Sequence, residues 1–162
     1  AASAAAAPPQ DGGAAAAGAS GALSSGAAAA GASRPTVADL MHTGNEVPIV
    51  PTEMPLKDAL LVISAKRLGV TGVTDGEGKL VGVITDGDVR RATQSGVDLY
   101  KAKAGEVMTL SPKRIPSTVL AAAALRMMEE HSITSLFVFD ASSPAKPVGI
   151  VHIHDLLKAG VG

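Results

Sequence analysis

The chain has 162 residues, a net charge of −1, no cysteine and only 2% aromatic residues. Balanced charge without a basic stripe excludes a nucleic-acid footprint. The absence of cysteine excludes a disulfide framework and thiolate metal sites, and no apolar run approaches the ~20 residues of a membrane span.

Residues 1–34 are rich in Ala, Gly and Ser, with Pro8 and Pro9, and lack the Val, Ile, Phe and Met of a core. They read as a linker or disordered arm. Without a basic start or a strong apolar centre they do not make a signal peptide, so a reducing, cytoplasmic setting is expected. The first repeat spans 35–98. Val37–Met41 forms a short helical turn, and Val47–Val50 is extended and limited by Pro48 to a sheet edge or strand start. From Pro55 to Lys66, Leu56, Ala59, Leu60 and Ile63 recur at helical spacing, with Thr52 as N-cap and Gly69 as stop. Val70–Thr74 and Leu80–Thr85 are strands joined by the hairpin Asp75-Gly76-Glu77-Gly78. Asp86 or Asp88 then caps a helix over Val89–Gln94.

The second repeat, 99–162, has the same order. Glu106-Val107-Met108 precedes a short strand near Lys113–Ile115, and Ser117 or Thr118 caps a helix through Ala121–Glu130. Strands over Ile133–Phe139 and Val148–Ile153 flank a longer turn, and Asp155–Lys158 is a short helix stopped by Gly160. Such internal repetition governs the architecture, with two copies of one βαββα unit packed on each other and clefts where they meet.

The repeat is plainest in Leu80-Val-Gly-Val-Ile-Thr-Asp-Gly-Asp-Val-Arg-Arg91 and Pro147-Val-Gly-Ile-Val-His-Ile-His-Asp-Leu-Leu-Lys158. Order and motif together resemble a tandem pair of cystathionine-β-synthase (CBS) domains over 36–162. This implies an α/β (α+β) fold of two repeats related by a pseudo-two-fold axis. Asp39-Leu-Met-His-Thr-Gly44, Thr85-Asp-Gly-Asp88 and His152-Ile-His-Asp155 resemble more closely the C-terminal CBS pair of arabinose-5-phosphate isomerases. Those enzymes supply the precursor of the lipopolysaccharide sugar acid Kdo. Nothing before Arg34 resembles the sugar-isomerase domain that carries their chemistry, so that domain is missing. The resemblance therefore implies a regulatory module and no enzyme.

Candidate site residues follow from the strand-to-helix turns. Free N–H groups at a helix start suit an anion, a Thr hydroxyl adds a donor, and an Asp accepts ribose hydroxyls. The resemblance places phosphate or ribose on Gly82, Thr85 and Asp88, with Asp86 beside them and the same residues doubling as helix caps. In the second copy His152 stands for the threonine beside Gly149 and Asp155, with His154 adjacent. Arg90 and Arg91 are candidate two-pronged clamps for phosphate or carboxylate. The resemblance adds Thr43 and Thr109 as cleft hydroxyls. His152, His154 and Asp155 lack further ligands nearby in sequence, so no metal site is expected. No catalytic residues are expected either, since there is no Gly-x-Ser-x-Gly elbow or Walker loop. The implied ligand is a nucleotide or nucleotide sugar in the inter-repeat cleft, CMP-Kdo or AMP/ATP, and the implied assembly is a homodimer through the CBS faces. The alternative is a purely structural dimerisation module that binds nothing.

Overall fold

The computed structural model describes residues 34–161, so the arm expected over 1–34 lies outside the described residues except at Arg34. The first sheet has the order β1 (Ile49–Pro51), β2 (Val70–Thr74), β3 (Leu80–Thr85), β4 (Thr109–Leu110). β1 runs parallel to β2, and the other two pairings are antiparallel. The second sheet has the order β5 (Arg114–Pro116), β6 (Ser135–Phe139), β7 (Gly149–His152), with the same parallel and antiparallel pairings. A bridge between His42 and Ile150 takes the place β4 holds in the first sheet. The helices are α1 (Val37–Leu40), α2 (Leu56–Lys66), α3 (Asp86–Gln94), α4 (Ala104–Val107), α5 (Ala121–His131) and α6 (Ile153–Lys158), with a 3-10 turn at Gly44–Glu46. The two βαββα units foreseen from the repeat are present, with a short helix ahead of each.

The segment that opens each repeat packs on the other one. Val37 is fully buried in the second repeat's core with Ile115, Leu125, Met128, Leu136 and Leu156. Ala104 is fully buried in the first repeat's core with Val50, Leu56, Ile63, Val73 and Ile84. Each side chain of this size that leaves water contributes about 1–3 kcal/mol, so each exchanged segment is held mainly by its apolar face. A third cluster lies where the sheets face each other: Val70 and Leu80 against Phe137, Phe139 and Ile150.

The exchange also explains where the helices begin. Leu56 N–H donates to Ala102 O at 2.8 Å, and Ala121 N–H donates to Pro35 O at 2.9 Å. A backbone carbonyl from the crossing segment thus serves the first amide of each helix, one of the four that have no partner within it. The N-caps are accordingly Pro55 and Leu120, replacing Thr52 and Ser117 or Thr118. At the far ends, Arg67 (φ 64°) and Ser132 (φ 55°) take the left-handed positions. Gly69, expected as the first stop, turns two residues later.

The strand-to-helix turns differ from expectation in the same direction. Thr85 is the N-cap of α3, Asp88 stands three residues into the helix, and Asp86 is its first residue. His152 and Asp155 hold the corresponding places in α6, so Ile153 leaves the strand and opens the helix. In both turns the residue that caps is the last of the strand, because its extended backbone leaves the side chain free to turn back on the helix amides.

Candidate functional site

Two glycines let the exchanged segments approach. A β-carbon on Gly82 would lie 2.6 Å from Met108 Sδ and 2.9 Å from Thr109 O. One on Gly149 would lie 2.6 Å from Met41 Sδ and 2.7 Å from His42 O. The glycine of the repeated motif therefore gives clearance to a crossing backbone. This sets Met108 and Thr109 of one segment in correspondence with Met41 and His42 of the other.

The first turn is a closed network around Asp88. Its Oδ2 accepts from Thr85 N–H at 2.9 Å and from the Thr85 hydroxyl at 3.1 Å. Its Oδ1 accepts from an Arg91 guanidinium nitrogen at 2.6 Å and from the Thr109 hydroxyl at 3.0 Å. Asp88 N–H returns a bond to the Thr85 hydroxyl at 3.2 Å, completing a capping box. Burial works to raise the Asp88 carboxyl, but the Thr85 amide, the Arg91 guanidinium and the Thr109 hydroxyl outweigh it and hold it below the ordinary 3.8. A depressed carboxyl contributes stability that is present above its unfolded value and lost as pH falls through its folded value. We expect Asp88→Asn to cost about 1.5–3 kcal/mol at neutral pH, the range for a hydrogen-bonded charged group. The gap to the unaltered chain should close on acidification; urea midpoints across acidic pH check it.

Arg90 and Arg91 lean over this turn. A β-carbon on Gly87 would lie 3.3 Å from an Arg91 nitrogen, 3.6 Å from the Thr85 hydroxyl and 3.7 Å from an Arg90 nitrogen. Two guanidiniums and a hydroxyl thus converge over Gly87 at the start of α3. Asp86 is exposed, its backbone N–H bonded to Gly69 O at 3.2 Å.

The second turn has the same geometry and different chemistry. Asp155 Oδ2 accepts from His152 N–H at 3.0 Å and pairs with His42 Nε2 at 2.9 Å. His42 Nδ1 pairs with Glu46 Oε1 at 2.8 Å. His152 Nδ1 accepts from His154 N–H at 3.0 Å. The His152 and His154 rings are 4.6 Å apart between centroids. His154 stands at the helix position that Gly87 holds in the first turn, so the second turn carries a ring where the first has no side chain.

The sequence-derived candidates therefore divide. Thr85, Asp86, Asp88, Arg90, Arg91 and Thr109 come together in the first turn, and His152, His154 and Asp155 in the second. Thr43 does not join them. It is exposed, one residue past the bridge to Ile150, where it precedes the 3-10 turn. His42 holds the place that corresponds to Thr109, and sequence reasoning left it out of the candidates. Matching Met41–Gly149 to Met108–Gly82 is the signal that finds it. Among the described residues no group of three or more His, Cys, Asp or Glu side chains is arranged to hold a metal ion. No helix among them is long and apolar enough to cross a membrane.

The CBS domain family matches residues 37–95 and 104–162. Arabinose 5-phosphate isomerase KdsD of Yersinia pestis is 45% identical over 125 residues, 77% of this chain and 37% of that protein. KdsD of Pseudomonas aeruginosa is 44% identical over 125 residues, 77% of this chain and 38% of that protein. The chain thus spans well under half the length of these curated relatives. CBSX2, a CBS-pair protein of Arabidopsis thaliana, is 27% identical in its solved complex with AMP, with a TM-score of 0.65 over 78% of this chain and 96% of that one. Two crossed βαββα repeats with matching strand-to-helix turns make this chain a tandem CBS pair, a regulatory module that belongs to the CBS domain family and resembles the non-catalytic part of those isomerases.

Proposed function

We propose that the chain is the ligand-sensing part of an arabinose-5-phosphate isomerase-like protein, and that it takes an anionic nucleotide at the first turn. The observation that carries this reading is the convergence of the Arg90 and Arg91 guanidiniums and the Thr85 hydroxyl over Gly87 at the start of α3. Guanidiniums at a helix start suit a phosphate in charge and in geometry. The second turn is a poorer phosphate site, because an imidazole stands at the position of Gly87 and its arginine positions carry Leu157 and Lys158. Ribose hydroxyls bound to Asp88 would take the place of Arg91 and Thr109 on Oδ1. That would free Arg91 for the phosphate and loosen Thr109, which belongs to the segment crossing from the other repeat. Ligand binding is thereby tied to the arrangement of the repeats, as allosteric transmission requires.

The AMP complex of CBSX2 supports an adenine nucleotide, and pathway chemistry keeps CMP-Kdo as the other candidate. The setting is proposed to be cytoplasmic, and the assembly a homodimer with an isomerase domain as its partner. Isothermal titration of the chain with AMP, ATP, CMP and CMP-Kdo tests the reading. We expect saturable binding of one of them, weakened at least tenfold in Gly87→Val and in Thr85→Val. Light scattering on the same samples should show an unchanged assembly. Heat from none of them, with the dimer intact, would favour a module that only dimerises.

A further inference from the structure

The two turns do the same mechanical work with different donors. In the first, the Thr109 hydroxyl from the crossing segment holds Asp88, and the Thr85 hydroxyl accepts the Asp88 amide. In the second, His42 from the crossing segment holds Asp155, and His152 Nδ1 accepts the His154 amide. Hydroxyls do not titrate in the physiological range, whereas imidazoles do.

The hydrogen bonds require a protonation state for each ring. His42 faces a carboxylate oxygen from both nitrogens, Glu46 at 2.8 Å and Asp155 at 2.9 Å. An ionised carboxylate only accepts, and a neutral imidazole has one N–H and one lone pair. Only the imidazolium makes both bonds. The ring is partly withdrawn from water, and its backbone is paired with Ile150 in both directions, at 2.8 and 3.0 Å. His152 is the reverse case. Its Nδ1 receives an amide proton, so it carries none of its own, and the ring is neutral with its proton on Nε2.

We propose that the second turn is a proton-controlled latch: the imidazolium of His42 fastens the segment 36–46 of the first repeat to the start of α6, and loss of its proton weakens that hold. The proposal stands apart from the ligand reading, since it uses a different turn and needs no ligand.

The groups facing the latch come from each element around it. Glu46 lies on the 3-10 turn, Asp155 and His154 on α6, and His152 at the end of β7. Lys66 of α2 donates to the Asn45 carbonyl in the same 3-10 turn. Burial works to lower His42, but the Glu46 bond and the Asp155 charge outweigh it and set it above the ordinary 6.5. Burial lowers His152, and His154 and His42 lower it further, against the pull of Asp155.

The signs are opposite. A histidine raised on folding stabilises fully below its unfolded value and loses that contribution as pH rises through its folded value. A histidine lowered on folding stabilises above its unfolded value and loses that contribution as pH falls through its folded value. The stability of this turn therefore has a maximum near the ordinary histidine value of 6.5 and declines on both sides. His42 sets the alkaline limb and His152 the acidic one.

Ring-nitrogen NMR of the uniformly labelled chain, titrated from about pH 5 to 9 across the histidine range, tests this directly. His42 should be doubly protonated at neutral pH and titrate on the alkaline side of a free histidine, while His152 shows the Nε2–H form. Urea midpoints should fall on both sides of the maximum. In His42→Thr, which copies Thr109, the alkaline limb should be lost and the acidic limb kept. A single protonated nitrogen on His42 at neutral pH, or an alkaline limb that survives in His42→Thr, overturns the proposal. If that variant does not fold, the titration of the unaltered chain still decides.

Discussion

Gly149→Ala should unfold the chain at a markedly lower urea concentration, with a loss of about 3 kcal/mol, the upper end for overpacking a tight site. The reason is what a methyl group would meet. Met41 Sδ at 2.6 Å can swing away, but His42 O at 2.7 Å belongs to a backbone paired with β7 through Ile150. To admit the methyl, the segment must lift, and with it Val37, Leu40 and Met41 leave the second core. Gly76→Ala is the control. Nothing lies within 4 Å of that position and its φ is not positive, so its shift should stay within about 0.5 kcal/mol. Equal effects at the two glycines would show that clearance at Gly149 is unimportant.

Phe137→Ala should cost about 3–5 kcal/mol, the range for deleting a buried aromatic ring. Phe137 is 2% exposed and sits in the cluster that joins the two sheets, with Val70, Leu80, Phe139 and Ile150. Its register partners are Arg114 on β5 and Ile150 on β7. Across the junction lies Gly72, whose missing side chain admits the ring: a β-carbon there would be 2.9 Å from Phe137 Cζ and 2.7 Å from Leu80 Cδ1. The two positions are matched, each central in an inner strand of its sheet, and one volume serves both. Removing the ring leaves a cavity that Gly72 cannot fill. Urea denaturation followed by circular dichroism checks the loss, and a cost below about 1 kcal/mol, the scale of a tolerated core swap, would mean that the junction collapses to fill the space.

Much of this was legible in the residues. Alternation in Leu80–Thr85 and the helical spacing of Leu56, Ala59 and Ile63 placed those elements, because each has one buried face whose period shows. The repeated turn placed Asp88 and Asp155 at the starts of helices, while Thr85 and His152, which cap them, were read as strand residues. Periodicity reports that a face is buried, however, and not what buries it. Val37 and Ala104 therefore could not be assigned to the opposite repeats. β4 was unreadable for a related reason: Thr109 and Leu110 are both exposed, so the strand has no alternation, and only its pairing to β3 defines it. Thr52, Ser117 and Thr118 were read as caps because side chains usually serve helix amides, and here the helices start at Pro55 and Leu120, where carbonyls from the crossing segments meet the first amide. Gly82 and Gly149 were read with the ligand motif, while the close contacts they permit are with methionine and backbone.

The exchange of segments bears on how the molecule comes into being. Within the pair, the residues made earlier are among the last to find their places. Val37 donates its amide to Val119 O, and His42 pairs with Asp155, 113 residues further along. During synthesis the stretch from Val37 to His42 emerges with its apolar side uncovered and waits for the second repeat to follow. Closure over so long a separation slows the approach to the native state. Until then that stretch is the part of the newborn chain most open to a chaperone or to the wrong neighbour.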